Sequence, residues 1–207
     1  MTTRIAAIAL SGLTAGFAAC ATEQPAAPAA ATAEDVAAIA PPRCDDGAPH
    51  PDAPPELSQF AFLIGDYEVA AYQWQGDDWS PPRPGPQARW NGWYGLGGMV
   101  IQDEWFNQDP GLTPGTGRGV NVRYYDPEKA EWQMMWISTA GAQVQDLRAK
   151  VIDGTLTMWQ VYPEKPGFLA EFTVEDADHW TRTQYNVAED GAKTPAYLLR
   201  ATRIPCG

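Results

Sequence analysis

Trp132, Met134 and Trp136 recur at every second residue, a spacing that puts all three on one face of an extended strand. Thr157 and Trp159 do the same in a second segment, and Trp180, Arg182 and Gln184 in a third. If these faces line an interior, they make an aromatic wall with a few polar anchors, suited to holding an apolar or flat molecule. The competing reading is that the tryptophans simply fill the core. Acidic chemistry is harder to assemble. Asp103 and Glu104 are adjacent, so on a strand they face opposite sides and cannot work as a paired acid and base. Either could point inward, with Arg118 or Arg123 neutralising it from the next strand. The candidate ligand site is therefore Trp132, Met134, Trp136, Trp159, Glu104, Arg118 and Arg182.

Other constellations are missing. The two histidines, His50 and His179, are far apart, which leaves no two-histidine metal site and no Ser-His-Asp triad. Turn chemistry accounts for His179 beside Asp176 and Asp178. The Gly111 to Gly119 run contains prolines and lacks the Lys-Ser/Thr ending of a phosphate-binding loop. No catalytic residue, metal or cofactor is expected.

What must position the candidate residues is a set of strands. Turn signals recur at Asp126-Pro127-Glu128-Lys129, Ala140-Gly141, Asp153-Gly154, Glu164-Lys165-Pro166-Gly167, Glu175-Asp176-Ala177-Asp178 and Glu189-Asp190-Gly191. Between them lie segments rich in aromatic and β-branched residues, about ten in all when the upstream stretches near Asp66, Arg89 and Met99 are included. Ten sequential antiparallel strands with short connections leave two raw edges and a wet apolar face unless they close. An all-β, single antiparallel up-and-down barrel of about ten strands is the expected fold.

Three segments follow from composition. Residues 1–19 read as a signal peptide: Arg4 precedes an apolar run from Ile5 to Ala19, which as a helix spans roughly 22 Å and falls short of a membrane core. Phe17-Ala18-Ala19-Cys20 resembles a bacterial lipobox, making Cys20 the expected lipidation site, with an ordinary signal-peptidase cut at the small residues Ala18 and Ala19 as the alternative. Residues 20–55 are an Ala/Pro-rich linker, and 56–207 the barrel domain, long enough for one core. Cys44 and Cys206 bracket that domain and are expected to form a disulfide in an oxidising compartment. The net charge is −12, or −13 once Arg4 leaves with the leader, which argues against nucleic acid and anionic lipid surfaces as partners. Membrane contact is expected through the lipid anchor only.

Leu57-Ser58-Gln59-Phe60-Ala61-Phe62-Leu63-Ile64-Gly65-Asp66-Tyr67 resembles the F-L-x-G-x-W opening of a bacterial secreted family of unknown function with a lipocalin-like, or calycin, barrel. The Gly-Gly before Met99, the Tyr125-Asp126-Pro127 turn followed by Trp132, and the Arg-containing last strand are similar too. In such barrels the opening aromatic plugs the closed end beside a basic residue of the last strand. The resemblance implies that role for Gly65, Tyr67 and Arg200, with Arg203 as the other choice for the base. Related barrels carry haem on a histidine near the last strands, and Tyr197-Leu198-Leu199-Arg200 offers none. The function expected is an exported, lipid-anchored barrel holding a small apolar or aromatic ligand at the periplasmic face of the outer membrane. The alternatives are an isomerase or lyase using the barrel interior, and an envelope interaction module with a packed barrel.

Overall fold

The computed structural model describes residues 44–82, 87–107, 117–139 and 143–206. The signal peptide, Cys20 and the linker as far as residue 43 lie outside the described residues, as do residues 111–116 of the Gly-rich run. Ten strands follow in order: β1 Gly65–Gln73, β2 Ala88–Gly95, β3 Val100–Asn107, β4 Arg118–Asp126, β5 Glu131–Ser138, β6 Gln143–Ile152, β7 Thr155–Tyr162, β8 Phe168–Val174, β9 His179–Val187 and β10 Lys193–Arg203. Each pairs antiparallel with its chain neighbours, and β10 returns to β1 to close the barrel, with Val69 opposite Ala201 and Tyr67 opposite Arg203. Local chemistry sets the corners. Asp153 and Gly154 both take positive φ (49° and 82°), the backbone of a two-residue hairpin whose twist matches that of its strands. At the β4–β5 corner the Asp126 carboxylate accepts the amides of Glu128 (3.1 Å) and Lys129 (3.2 Å).

One end of the barrel is plugged by a segment that strand patterning leaves unassigned. Pro55–Leu63 is a 3-10 helix. Its apolar residues Leu57, Phe60 and Leu63 fall every third position, the repeat that lines up on a helix of three residues per turn, and all three are buried. Phe60 meets Trp132 edge-on at 4.8 Å between ring centroids and Phe172 at 5.4 Å. Trp132 also donates its indole N–H to Gln59 Oε1 (3.0 Å), tying β5 to the plug. The helix ends against β2 at Gly92, where a Cβ would stand 2.0 Å from the Leu63 carbonyl oxygen. Only glycine admits that approach.

The same end carries a clasp. Tyr67, fully buried, donates its hydroxyl to the Phe62 carbonyl (2.6 Å) and accepts from Arg203, whose guanidinium carbon lies 4.7 Å from the Tyr67 ring centroid. Arg203 also donates to the Ile64 carbonyl (2.9 Å). Gly65, at φ +114°, clears the way: a Cβ there would come within 2.2 Å of Arg203 Nη1. The basic partner in the closure is thus Arg203 and not Arg200. Leu199 and Ala201 point inward, so alternation carries Arg203 onto the interior face, while Arg200 is exposed with its guanidinium 5.7 Å from the Tyr72 ring centroid.

Residues 44–54, read from composition as the end of a linker, are bound to this end. Cys44 and Cys206 form a disulfide across 162 positions. The Asp46 carbonyl accepts the Tyr94 amide (2.9 Å), and His50 N–H donates to the Gly98 carbonyl (3.0 Å).

Candidate functional site

With the plug filling one end, remaining interior space lies toward the other, and a cavity of about 240 Å³ occupies it. An aromatic chain leads into it from the closed end. Tyr67 stands 5.7 Å from Trp180, Trp180 5.2 Å from Trp90, and Trp90 6.1 Å from Trp105, each pair edge-to-face. Trp90 and Trp105 form part of the cavity wall, and Trp136 joins them from β5. Gly119 makes that possible: it sits between Trp105 and Ser138 in the sheet, and a Cβ there would stand 2.2 Å from the Trp136 ring. Leu147, Met158, Phe168, Phe172 and Leu199 complete the apolar wall, with Gln145, Gln160, Gln184 and Tyr197 among them. The cavity reaches the surface at Lys165, an exposed residue whose Nζ lies 5.0 Å from the Phe168 ring centroid.

The polar heart of the site is an ion pair between Arg123 on β4 and Asp103 on β3, 1% and 0% exposed. Arg123 lies over aromatic faces, 5.1 Å from the Phe60 centroid and 5.6 Å from that of Trp90. Burial, and after it the charge of nearby Arg182, push Arg123 down to about 9, so it remains a cation at neutral pH with Asp103 as counter-ion. Arg182 on β9 is lowered by burial as well, with Tyr197 acting in the opposite direction. A buried cation needs a partner or costs stability. Asp103 serves Arg123; among the described residues no carboxylate serves Arg182, and its buried Nε has no acceptor.

The expected site residues divide into three groups. Trp136 and Arg182 line the cavity. Trp132 and Met134 share the inward face of β5 with Trp136 but are spent in packing beside the plug, 0% and 2% exposed, and do not border the cavity. Trp159, Glu104 and Arg118 lie on the outer face, and their assignment is corrected here. Trp159 pairs laterally with Arg148 and Leu169, while its neighbour Met158 points in. Glu104 sits between Asn91 and Val120, so the inward carboxylate is Asp103. Arg118 stacks on Phe106, 4.4 Å from its centroid, on the outer surface. The residues missed are Trp90, Trp105, Asn121, Gln145 and Gln160, while Arg123 enters the sequence reading only as the alternative to Arg118 and Gln184 only by its strand face. Arg123 was within reach, being two positions from Asn121 and four from Gly119 on one parity, but nothing in β4 itself marks which parity is inside.

His179 pairs with Asp176 (2.8 Å) in the exposed β8–β9 turn at the plugged end, away from the cavity. Among the described residues no group of three or more His, Cys, Asp or Glu side chains is placed to hold a metal ion. Compared with protein-family models and with curated proteins, the chain matches none.

Proposed function

We propose that this protein is an exported, lipid-anchored carrier that holds a small aromatic or apolar molecule inside a lipocalin-like barrel at the bacterial envelope. The observation that carries the reading is the cavity walled by Trp90, Trp105, Trp136 and Phe168 and reaching the surface at Lys165. A barrel whose interior were there only for packing would fill this space with side chains, as its plugged end does with Leu57, Phe60, Leu63 and Trp132. The volume sets the ligand class. At about 240 Å³ it lies below the range of drug-sized pockets, roughly 300–1,000 Å³, and above the roughly 150 Å³ that accepts benzene. One or two fused rings with a short substituent fit. The leader, the lipobox-like Phe17-Ala18-Ala19-Cys20 and the Ala/Pro-rich linker support the location, and the disulfide is consistent with an oxidising compartment.

Isomerase or lyase chemistry is weighed against by the placement of Asp103. An inward carboxylate beside an arginine is present, but it is fully buried and does not border the cavity, whose described lining residues include no carboxylate and no histidine. The test is mass spectrometry of the full chain, expressed with its own leader and purified without refolding, first under native and then under denaturing conditions. A small aromatic molecule should appear only on denaturation. A protein with nothing bound, whose tryptophan fluorescence is also unmoved by millimolar naphthalene derivatives, would overturn the carrier reading.

A further inference from the structure

Among the described residues the cavity lining holds three cations, Arg123, Arg182 and Lys165, and no carboxylate, inside a chain whose net charge is −12. The excess is therefore local, and it runs against the charge of the molecule as a whole. Arg123 is matched by Asp103, and Lys165 is solvated at the mouth. Arg182 is neither. Its Nε is buried without an acceptor among the described residues. Its strand position explains where it points: it lies on the inward face of β9 between Trp180 and Gln184, opposite Phe172 on β8 and Leu199 on β10. A residue kept there for packing would be apolar, like those two neighbours.

Among the buried, unpartnered atoms of the described lining residues, donors outnumber acceptors: Arg123 Nε and Trp90 Nε1 join Arg182 Nε, against Asn121 Oδ1. A buried donor without an acceptor is costly, and a charged one more so. The molecule that best completes such a wall brings acceptor oxygens and a negative charge.

We propose that the ligand is an aromatic carboxylate, or an equivalent acidic oxygen anion, with its ring against Trp105 and Trp136 and its charged group on Arg182. This rests on the carrier reading above and adds the charge of the ligand to it. Guanidinium and carboxylate match in geometry, two N–H groups meeting two oxygens. The lining glutamines Gln145, Gln160 and Gln184 meet whatever polar substituent the ring carries.

The experiment uses two probes of one shape, 2-naphthoate and the neutral 2-naphthamide, titrated into the purified full-length chain by tryptophan fluorescence and calorimetry. Wild type should bind naphthoate tighter than naphthamide by about tenfold or more, the effect of one charge-assisted hydrogen bond. The preference should vanish below about pH 4, where the probe protonates. In Arg182→Gln the ratio of the two affinities should fall to near one, and in Arg182→Lys part of it should return, with circular dichroism confirming that each variant folds. Equal affinities in wild type, or an undiminished ratio in Arg182→Gln, would overturn the anion site while leaving the cavity a binding site. Should neither probe bind wild type at all, the carrier reading itself falls and this assignment with it.

Discussion

Arg203 covers the ring of Tyr67 and donates to its hydroxyl, so the last strand and the first are locked together by side chains as well as by their backbone ladder. Burial is the largest influence on that hydroxyl and, despite the opposing charge of Arg203, pushes Tyr67 up to about 12. The folded state therefore retains a proton that the unfolded chain gives up near pH 10. This contribution to stability is complete below pH 10 and is lost as pH rises from 10 toward 12. In Tyr67→Phe the alkaline slope should be shallower than in wild type, and taking the difference removes other groups that titrate there, Arg123 included. Urea midpoints from pH 8 to 11.5 would show it. At neutral pH the same variant should lose about 1–2 kcal/mol.

The choice between two arginines of one strand gives a second test. Arg203→Met removes the clasp and should cost about 1–3 kcal/mol, whereas Arg200→Met changes an exposed side chain and should stay within about 0.5 kcal/mol. Equal effects in thermal unfolding would mean that the clasp does not close the barrel.

Much of this architecture is legible in the sequence, and what is not has physical causes. Asp153-Gly154 announces its hairpin because few other pairs accept positive φ twice. Trp132, Met134 and Trp136 declare both a strand and its inner face. The choice of face fails where both parities are apolar. β3 begins Val100-Ile101 and β10 contains Leu198-Leu199, so Asp103 against Glu104 and Arg203 against Arg200 are decided only by which partner strand supplies the inner face. On β7, Leu156 and Met158 compete with Trp159, and the aromatic was the wrong guide. No local signal separates an inward residue that borders a cavity from one consumed by packing, since that depends on how far the plug reaches. Phe60, remote in the chain, decides that Trp132 is packed and Trp136 is not. The plug itself is readable afterwards from the spacing of Leu57, Phe60 and Leu63, a repeat of three that does not fit a strand and lines up directly on a 3-10 helix.

Gly92 should be intolerant of the smallest side chain. Its Cβ would overlap the Leu63 carbonyl, a backbone atom that cannot swing aside. Gly92→Ala should therefore unseat the end of the plug and cost about 1–3 kcal/mol or more, and a probe of exposed apolar surface should report the opened end. Normal stability would show that the plug adjusts freely and does not define the cavity floor.

The disulfide ties residues 44–54 to the end of β10 across 162 positions. Replacing both cysteines by serine should lower stability by about 2–5 kcal/mol, read from denaturant midpoints with and without reductant. Wild type plus reductant should converge on the variant. Because the bond lies at the plugged end, binding at the cavity should survive wherever the variant remains folded.

Asp103 and Arg123 make the sharpest energetic prediction, because a buried pair is worth little as a pair and a great deal against its halves. Asp103→Ala leaves the Arg123 guanidinium in the barrel with no counter-ion and a second cation, Arg182, nearby. The expected cost is about 3–5 kcal/mol. Replacing both with apolar residues, Asp103→Leu with Arg123→Met, removes the two desolvation penalties together and should recover most of that loss, leaving a positive coupling in a double-mutant cycle. If Asp103→Ala were nearly silent, Arg123 would be drawing its compensation from elsewhere in the cavity. The double variant has a second use: it tests whether Arg182 acts alone. With Arg123 gone and Arg182 intact, the tenfold preference for naphthoate over naphthamide should persist, since Asp103 already neutralises the charge that is removed.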